Sequence, residues 1–238
     1  MTILPLTYLG STEWFAHLLA GDCVIDIGEN WVKQTARNRC EILTSVGVAA
    51  LTVPVHGYGA KIPTKDIRID NSKRWQHQHW VSMVSAYRNS PFFDHYEGLF
   101  APVYEKKLNY LADLNLELLN ILTGLLDAGD AVKISETYVT AAPGDIDLRG
   151  KKALRREPPR PSGTPPREGN TTPPLAVGVP TGYPSTGGEG LSRPETLLKY
   201  TQVFSDRTEF VPGLSIIDLL FCESGRVARR MLSNSCPR

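Results

Sequence analysis

Apolar and polar positions in the first thirty residues predict a compact strand–helix–strand unit. Residues 3–9 and residues 23–27 form two apolar runs, and between them Ser11 or Thr12 can cap a short helix. Because a helix forms the crossover, the two strands are expected to be parallel. The loop after the first strand then lies at the carboxyl edge of the sheet, where ligands commonly bind. This loop has too few glycines for a dinucleotide fingerprint, so no cofactor is predicted.

Residues 40–55 predict an antiparallel hairpin, because two strand-like segments flank a short turn. A polar and basic run precedes the hairpin and ends in Arg37, Asn38 and Arg39. Two guanidinium groups beside an amide can hold a phosphate or a carboxylate. The alternative interpretation is a solvated basic edge that binds nothing.

Two helical segments are predicted in the middle of the chain, on either side of an aromatic-rich stretch. The first covers about residues 72–90. Its apolar stripe consists of Trp80, Val84 and Tyr87. Aromatic residues spaced three to four apart follow between positions 92 and 104, which favours core packing over base stacking. A leucine-rich helix covers about residues 108–126.

The first of these helices begins with two cations, Lys73 and Arg74, where the helix dipole favours acids. Free backbone N–H groups and two cations suit a phosphate-bearing ligand, whereas the alternative is two solvated side chains. His77 and His79 lie two positions apart, on different sides of the helix, and therefore cannot chelate one metal ion. Either histidine can act as a base or fill a structural role.

Residues 151–196 differ from the rest of the chain, since they hold ten of its 18 prolines and few large apolar residues. Such a segment cannot bury enough surface to offset its ordering entropy, so a disordered insertion is predicted. We expect residues 1–150 and 197–232 to form a single domain, with a frayed tail at residues 233–238. The predicted fold class is mixed α/β: an N-terminal parallel βαβ unit plus an antiparallel hairpin, with at least three helices packed on the sheet.

After the insertion, a strand at residues 200–204 and a short helix at residues 216–221 are predicted. Asp218 lies within the apolar turn of that helix. A carboxylate in such a position is costly unless it has a cation or a hydrogen-bond donor as partner. Arg37 and Arg39 are the expected partners.

Composition excludes several classes of protein. The net charge of +1 gives no general attraction to nucleic acid, so any anion site must be local. The four cysteines are widely spaced and contain no CxxC pair, so neither a zinc site nor a disulfide framework is predicted. No apolar run approaches the roughly 20 residues of a membrane-spanning helix. A cytoplasmic protein without a metal, a nucleic-acid partner or an integral membrane segment is expected.

Several motifs together resemble the WbqC-like protein family, in a branch common in Bacteroidetes-type bacteria. The motifs are YL and WF near the start, ENWVKQTARNRCEI (residues 29–42), LTVPV (51–55), DIRID and WQHQHW (66–80), SAYRNSPFFDHY (85–96), YTQVF (200–204) and LSIIDLLF (214–221). The chain departs from the family pattern at Leu4, where many members have a histidine, and at Gly10, where a proline is usual. If that histidine is catalytic in other members, His79 is the most attractive substitute here.

The resemblance implies a role in bacterial surface-polysaccharide pathways, with transfer of an aminoacyl or acyl group to an amino sugar on a phosphate-bearing carrier. In that hypothesis Arg37, Asn38 and Arg39 bind the phosphate of a sugar-phosphate or nucleotide-sugar ligand, together with Lys73 and Arg74. His79 serves as general base, and Asp218 orients an arginine or the base. The alternative is a non-catalytic sugar-phosphate-binding or scaffold protein of the same pathway.

Overall fold

The structure is a computed structural model that describes residues 1–56, 61–150 and 198–235. The predicted disordered insertion at residues 151–196 lies outside these residues, as do positions 236–238. The described residues belong to one compact unit, which contains residues from before and after the segment 157–195.

A four-stranded parallel sheet forms the first layer of the fold. β1 (Thr2–Pro5) and β2 (Cys23–Asp26) pair in parallel at its centre, and α1 (Thr12–Leu19) connects them. The edge strands β5 (Ile134–Ser135) and β6 (Ile146–Asp147) contain two residues each, so the order is β5-β2-β1-β6. The predicted parallel βαβ unit is confirmed. The first strand is shorter than predicted, because only four of its residues pair.

The predicted hairpin is also confirmed. β3 (Arg39–Thr44) pairs antiparallel with β4 (Gly47–Thr52), and Thr44 lies opposite Gly47 across a two-residue turn. Gly47 has φ +113, a conformation that glycine adopts without steric cost. The hairpin forms a two-stranded sheet of its own.

Among the described residues, six α-helices complete the mixed α/β fold. They are α1, α2 (Trp75–Tyr87), α3 (Phe93–Glu105), α4 (Leu111–Leu125), α5 (Ile216–Cys222) and α6 (Gly225–Ser235). A single core cluster takes residues from the strands, the hairpin and these helices. Residues 200–204 are irregular rather than a strand, and residues 233–235 continue α6.

Two details of α2 differ from the prediction. The helix starts at Trp75, so Lys73 and Arg74 precede its first turn, and no side chain caps it. Its buried positions are Trp75, His79, Met83, Ala86 and Tyr87, whereas Trp80 and Val84 of the predicted stripe are half-buried. The buried stripe is therefore displaced by about one position, and it carries His79 into the interior.

Candidate functional site

A small cleft lies beyond the carboxyl end of β1, at the edge where the βαβ pattern predicted a ligand site. Its walls are residues 8–11, residues 35–36, residues 39–41 of β3, and Gly213 with Ser215 ahead of α5. The cavity volume is about 30 Å³, which is room for a small chemical group rather than a whole sugar.

The turn at residues 8–11 has a tightly constrained backbone. Leu9 is buried and has φ 48, a left-handed conformation that is uncommon for a residue with a branched side chain. Gly10 permits close packing, because an added Cβ would lie 2.6 Å from Thr7 Oγ1. Ser11 then caps α1 by accepting a hydrogen bond from Trp14 N. A non-glycine residue keeps this conformation only where the surrounding structure holds it. Such residues are concentrated at functional sites.

The opposite wall is fixed to this turn by hydrogen bonds from Ser215. Its hydroxyl donates to the Leu9 carbonyl at 2.7 Å, and its backbone N–H donates to the Glu41 carbonyl at 2.9 Å. Ser215 makes no side-chain cap bond and instead joins α5 to β3 and to the turn after β1.

Of the two arginines that were predicted to hold a phosphate or a carboxylate, Arg39 lines the cleft. Its side chain is 28% exposed, and its Nη2 atom lies 4.0 Å from Glu41 Oε1. Its Nε atom is buried without a hydrogen-bond partner. Arg39 therefore has one buried donor that no protein group uses, while the rest of its side chain remains partly exposed.

Arg37 and Asn38 point elsewhere and bind protein groups. Arg37 is buried, and its Nε and Nη2 atoms donate to the two carboxylate oxygens of Glu29 at 2.8 and 2.5 Å. Arg37 Nη2 also donates to the Arg149 carbonyl. Asn38 donates to the Val53 carbonyl, while its own side-chain oxygen is buried without a partner. The structure therefore does not bring Arg37 and Arg39 together around one site for a phosphate or a carboxylate.

Lys73 and Arg74 are exposed residues ahead of α2, and neither lines the cleft. Their predicted role in phosphate binding stays a prediction, at a surface separate from the cleft lining.

His79 is buried and contacts Tyr8, a residue that lines the cleft. Its Nδ1 atom lies 2.8 Å from the hydroxyl of Tyr8, a residue of the cleft wall, and that hydroxyl lies 2.8 Å from the Tyr104 hydroxyl. The imidazole also donates to the Thr52 backbone, which leaves Nδ1 as the acceptor of the Tyr8 proton. Burial lowers the pKa of His79 to about 4, so the ring is neutral at pH 7.

Asp218 is fully buried and accepts hydrogen bonds from three neutral donors, not from an arginine. Tyr87 donates to Oδ1 at 2.8 Å, and Tyr200 and Gln202 donate to Oδ2 at 2.5 and 3.1 Å. Burial raises the pKa of Asp218, although the three donors oppose that shift. The expected pairing with Arg37 or Arg39 is not what the structure shows, since Arg37 pairs with Glu29.

A buried charge network at the carboxyl end of the sheet was not predicted. Asp26 closes β2 and forms an ion pair with Arg149, which also binds Asp147 through Nη2 at 2.6 Å. Arg149 packs over the Tyr138 ring at 4.5 Å. The available signal was an acid at the end of an apolar strand, but the arginine that pairs with it lies 123 positions later.

The described residues contain no cluster of histidine, cysteine, aspartate or glutamate side chains suited to a metal ion. Within the same residues, no helix is both long enough and apolar enough to cross a membrane. Three of the cysteines, Cys23, Cys40 and Cys222, are free and buried.

Comparison with known proteins identifies one family. No curated protein sequence and no solved structure matches the chain. A family model, described as the WbqC-like protein family, matches residues 8–150, from the start of the cleft turn to the end of the charge network. This match covers more than half of the 238 residues, and it includes both strands of the hairpin, Arg39 and His79. The chain therefore belongs to the WbqC-like protein family.

Proposed function

We propose that the protein is a cytoplasmic transferase of bacterial surface-polysaccharide synthesis, which holds the phosphate of a sugar-phosphate or nucleotide-sugar substrate at Arg39. Family membership supports the pathway. The observation that carries the binding site is Arg39 itself, a cation in the cleft wall with a buried, unpartnered Nε. A guanidinium group with free donors is well suited to bind phosphate oxygens.

The backbone around Arg39 also favours an anion. The left-handed Leu9 and the cap residue Ser11 belong to the same wall, at the start of α1. The start of a helix carries partial positive charge from its backbone N–H groups, which favours an anion nearby. In this proposal the phosphate enters the cleft, and the sugar ring lies at its mouth.

In this proposal the group that is transferred is an aminoacyl or acyl group, and the acceptor is an amino sugar. Tyr8 is the cleft-lining residue that His79 contacts, so in this proposal a proton passes between His79 and the cleft through the Tyr8 hydroxyl. A neutral imidazole is in the protonation state that a general base needs. Its low pKa nevertheless makes it a weak base.

A second candidate is a non-catalytic sugar-phosphate-binding protein of the same pathway. The specific observation in its favour is that His79 and Asp218 are both buried and hydrogen-bonded to protein groups. In that case the cleft would bind the same ligands but would release them unchanged.

The binding proposal is tested by thermal shift with sugar phosphates and nucleotide sugars. At a hundred times its dissociation constant, a ligand raises the melting temperature of a chain of this size by roughly 5–10 °C. We expect that shift in the wild type and its loss in Arg39→Ala. The matched control is the double variant Lys73→Ala with Arg74→Ala, which removes exposed cations outside the cleft and should keep the shift.

If only the Lys73→Ala, Arg74→Ala variant lost the shift in melting temperature, the phosphate site would be assigned to the start of α2 instead of the cleft. No shift with any sugar phosphate would overturn the proposal. If a ligand binds, it is incubated together with aminoacyl or acyl donors and with wild type, His79→Gln or Tyr8→Phe, and mass spectrometry of the ligand then separates the two candidates. Turnover that His79→Gln abolishes supports the transferase, whereas an unchanged ligand supports the binding protein.

A further inference from the structure

Arg39 is accompanied in the cleft by a carboxylate, Glu41. The two residues are two positions apart on β3, so their side chains project from the same face of the strand. Both line the cleft, and both are partly shielded from solvent, with exposed fractions of 28% and 14%. The cleft therefore offers a ligand one positive and one negative group.

Arg39 and Glu41 form only a long-range ion pair. The distance from Arg39 Nη2 to Glu41 Oε1 is 4.0 Å, beyond the 2.7–3.2 Å of a normal N–H···O hydrogen bond. By contrast, Arg37 and Glu29 form a bidentate, hydrogen-bonded ion pair in the same chain, with two contacts of 2.8 and 2.5 Å. Partly buried charges that lack close partners carry a desolvation cost, which a bridging ligand would relieve.

Glu41 also argues against a ligand that is only an anion. Phosphate bound at Arg39 would lie close to the Glu41 carboxylate, and like charges repel in a shielded cleft. A protonated amine on the same ligand would turn that repulsion into a charge-assisted hydrogen bond. The strand that carries Glu41 is held in place by Ser215, whose N–H binds the Glu41 carbonyl.

We propose that Glu41 is the specificity residue of the cleft and selects ligands that carry a free amine beside the phosphate. This inference rests on the proposed function and assigns its ligand class, a sugar phosphate whose amine is not acylated. Arg39 binds the phosphate, and Glu41 binds the ammonium group.

The test is calorimetric titration at pH 7 with three matched probes: glucosamine 1-phosphate, N-acetylglucosamine 1-phosphate and glucose 1-phosphate. We expect the wild type to bind the probe with a free amine about tenfold more tightly than the other two, as for one charge-assisted hydrogen bond. Glu41→Gln should remove that preference by weakening the first probe and strengthening glucose 1-phosphate. Glu41→Asp keeps the charge and should keep part of the preference.

The control is Glu105→Gln, an exposed carboxylate at the end of α3, which should leave all three affinities unchanged. Circular dichroism of each variant verifies that it is folded. Equal affinities of the wild type for all three probes would overturn the role of Glu41 while leaving the phosphate site at Arg39 in place. Binding of none of the probes, together with no shift for any nucleotide sugar, would overturn the phosphate site itself.

Discussion

His79 is a buried neutral imidazole, so it makes the stability of the protein depend on pH. Its pKa is about 4 in the folded chain and 6.5 in a solvated reference. Below pH 6.5 the unfolded chain binds a proton that the folded chain does not, so acidification favours unfolding. The free energy of unfolding should fall by about 3 kcal/mol between pH 6.5 and pH 4 on account of this residue.

Urea denaturation at several pH values across that window checks this prediction. His79→Gln cannot titrate, so its stability should depend less steeply on pH than that of the wild type. His77→Gln, which replaces the exposed histidine of the same helix, should follow the wild-type curve. Parallel curves for wild type and His79→Gln would contradict the prediction.

Asp218 joins three parts of the molecule through its carboxylate: α5, the end of α2 through Tyr87, and the irregular segment with Tyr200 and Gln202. Tyr87 also accepts a hydrogen bond from the Leu43 backbone in β3. Asp218→Ala would leave three buried donors without their acceptor, so we expect the free energy of unfolding to fall by about 3–5 kcal/mol.

Chemical denaturation measures this loss, with Asp206→Ala as the control because Asp206 is exposed. Asp218→Asn keeps one acceptor oxygen but turns an NH₂ group toward a donor. Its free energy of unfolding should therefore fall by less than that of Asp218→Ala, but by a measurable amount. A stability equal to that of the control in both Asp218 variants would show that the hydrogen bonds contribute nothing.

At the level of elements, the sequence was most informative where the signal is local. The cap at Ser11 or Thr12, the apolar runs of β1 and β2 and the short turn of the hairpin all follow from neighbouring residues, and the structure places the cap at Ser11. The buried face of α2 could not be derived in the same way, because it depends on where Tyr8, Trp75 and Tyr104 pack around His79.

The same limit applies to the candidate site. The sequence pointed to the loop after β1 and to Arg39, and the structure places both in one cleft. It could not separate Arg37 from Arg39, since both look alike in a basic run. The difference arises from Glu29, which lies eight positions before Arg37 and pairs with it only once the chain folds.

The start of α6 packs against the end of α4 without room for a side chain. A Cβ added at Gly225 would lie 2.0 Å from the Leu125 carbonyl oxygen, and the Gly225 N–H donates to the Tyr96 hydroxyl. Gly225→Ala should therefore push α6 away from α4 and lower the free energy of unfolding by about 2 kcal/mol or more.

Gly124 provides the matched control for this prediction, because it lies within α4 and nothing is within 4 Å of an added Cβ. Gly124→Ala should raise the melting temperature, since alanine is favoured over glycine inside a helix by roughly 0.5–1 kcal/mol. Thermal denaturation of both variants measures the two effects. Shifts of the same sign would contradict the proposed close contact.

At the scale of the whole molecule, the short edge strand β6 is held by buried charges as well as by backbone pairing. β6 pairs with β1 through two residues only. The chain around it is fixed by Asp26, whose Oδ2 atom accepts from Val139 N and from Arg149, and by Asp147, which also binds Arg149. The network thus ties the last residues of the family match to the centre of the sheet, where the cleft begins.

Arg149→Ala would leave Asp26 buried without its cation, and removing one partner of a buried ion pair costs about 3–5 kcal/mol. We expect that loss in chemical denaturation, together with faster amide exchange at Val139 and Leu148. Arg149→Lys should recover little, because a single ammonium group cannot serve both carboxylates and the Val139 carbonyl as the guanidinium does.

Arg68→Ala is the control, since Arg68 is an exposed arginine over the Tyr110 ring and its replacement should cost about 1 kcal/mol at most. If Arg149→Ala matched that control, edge pairing alone would suffice to hold β6, and the buried charges would have to serve another purpose than stability.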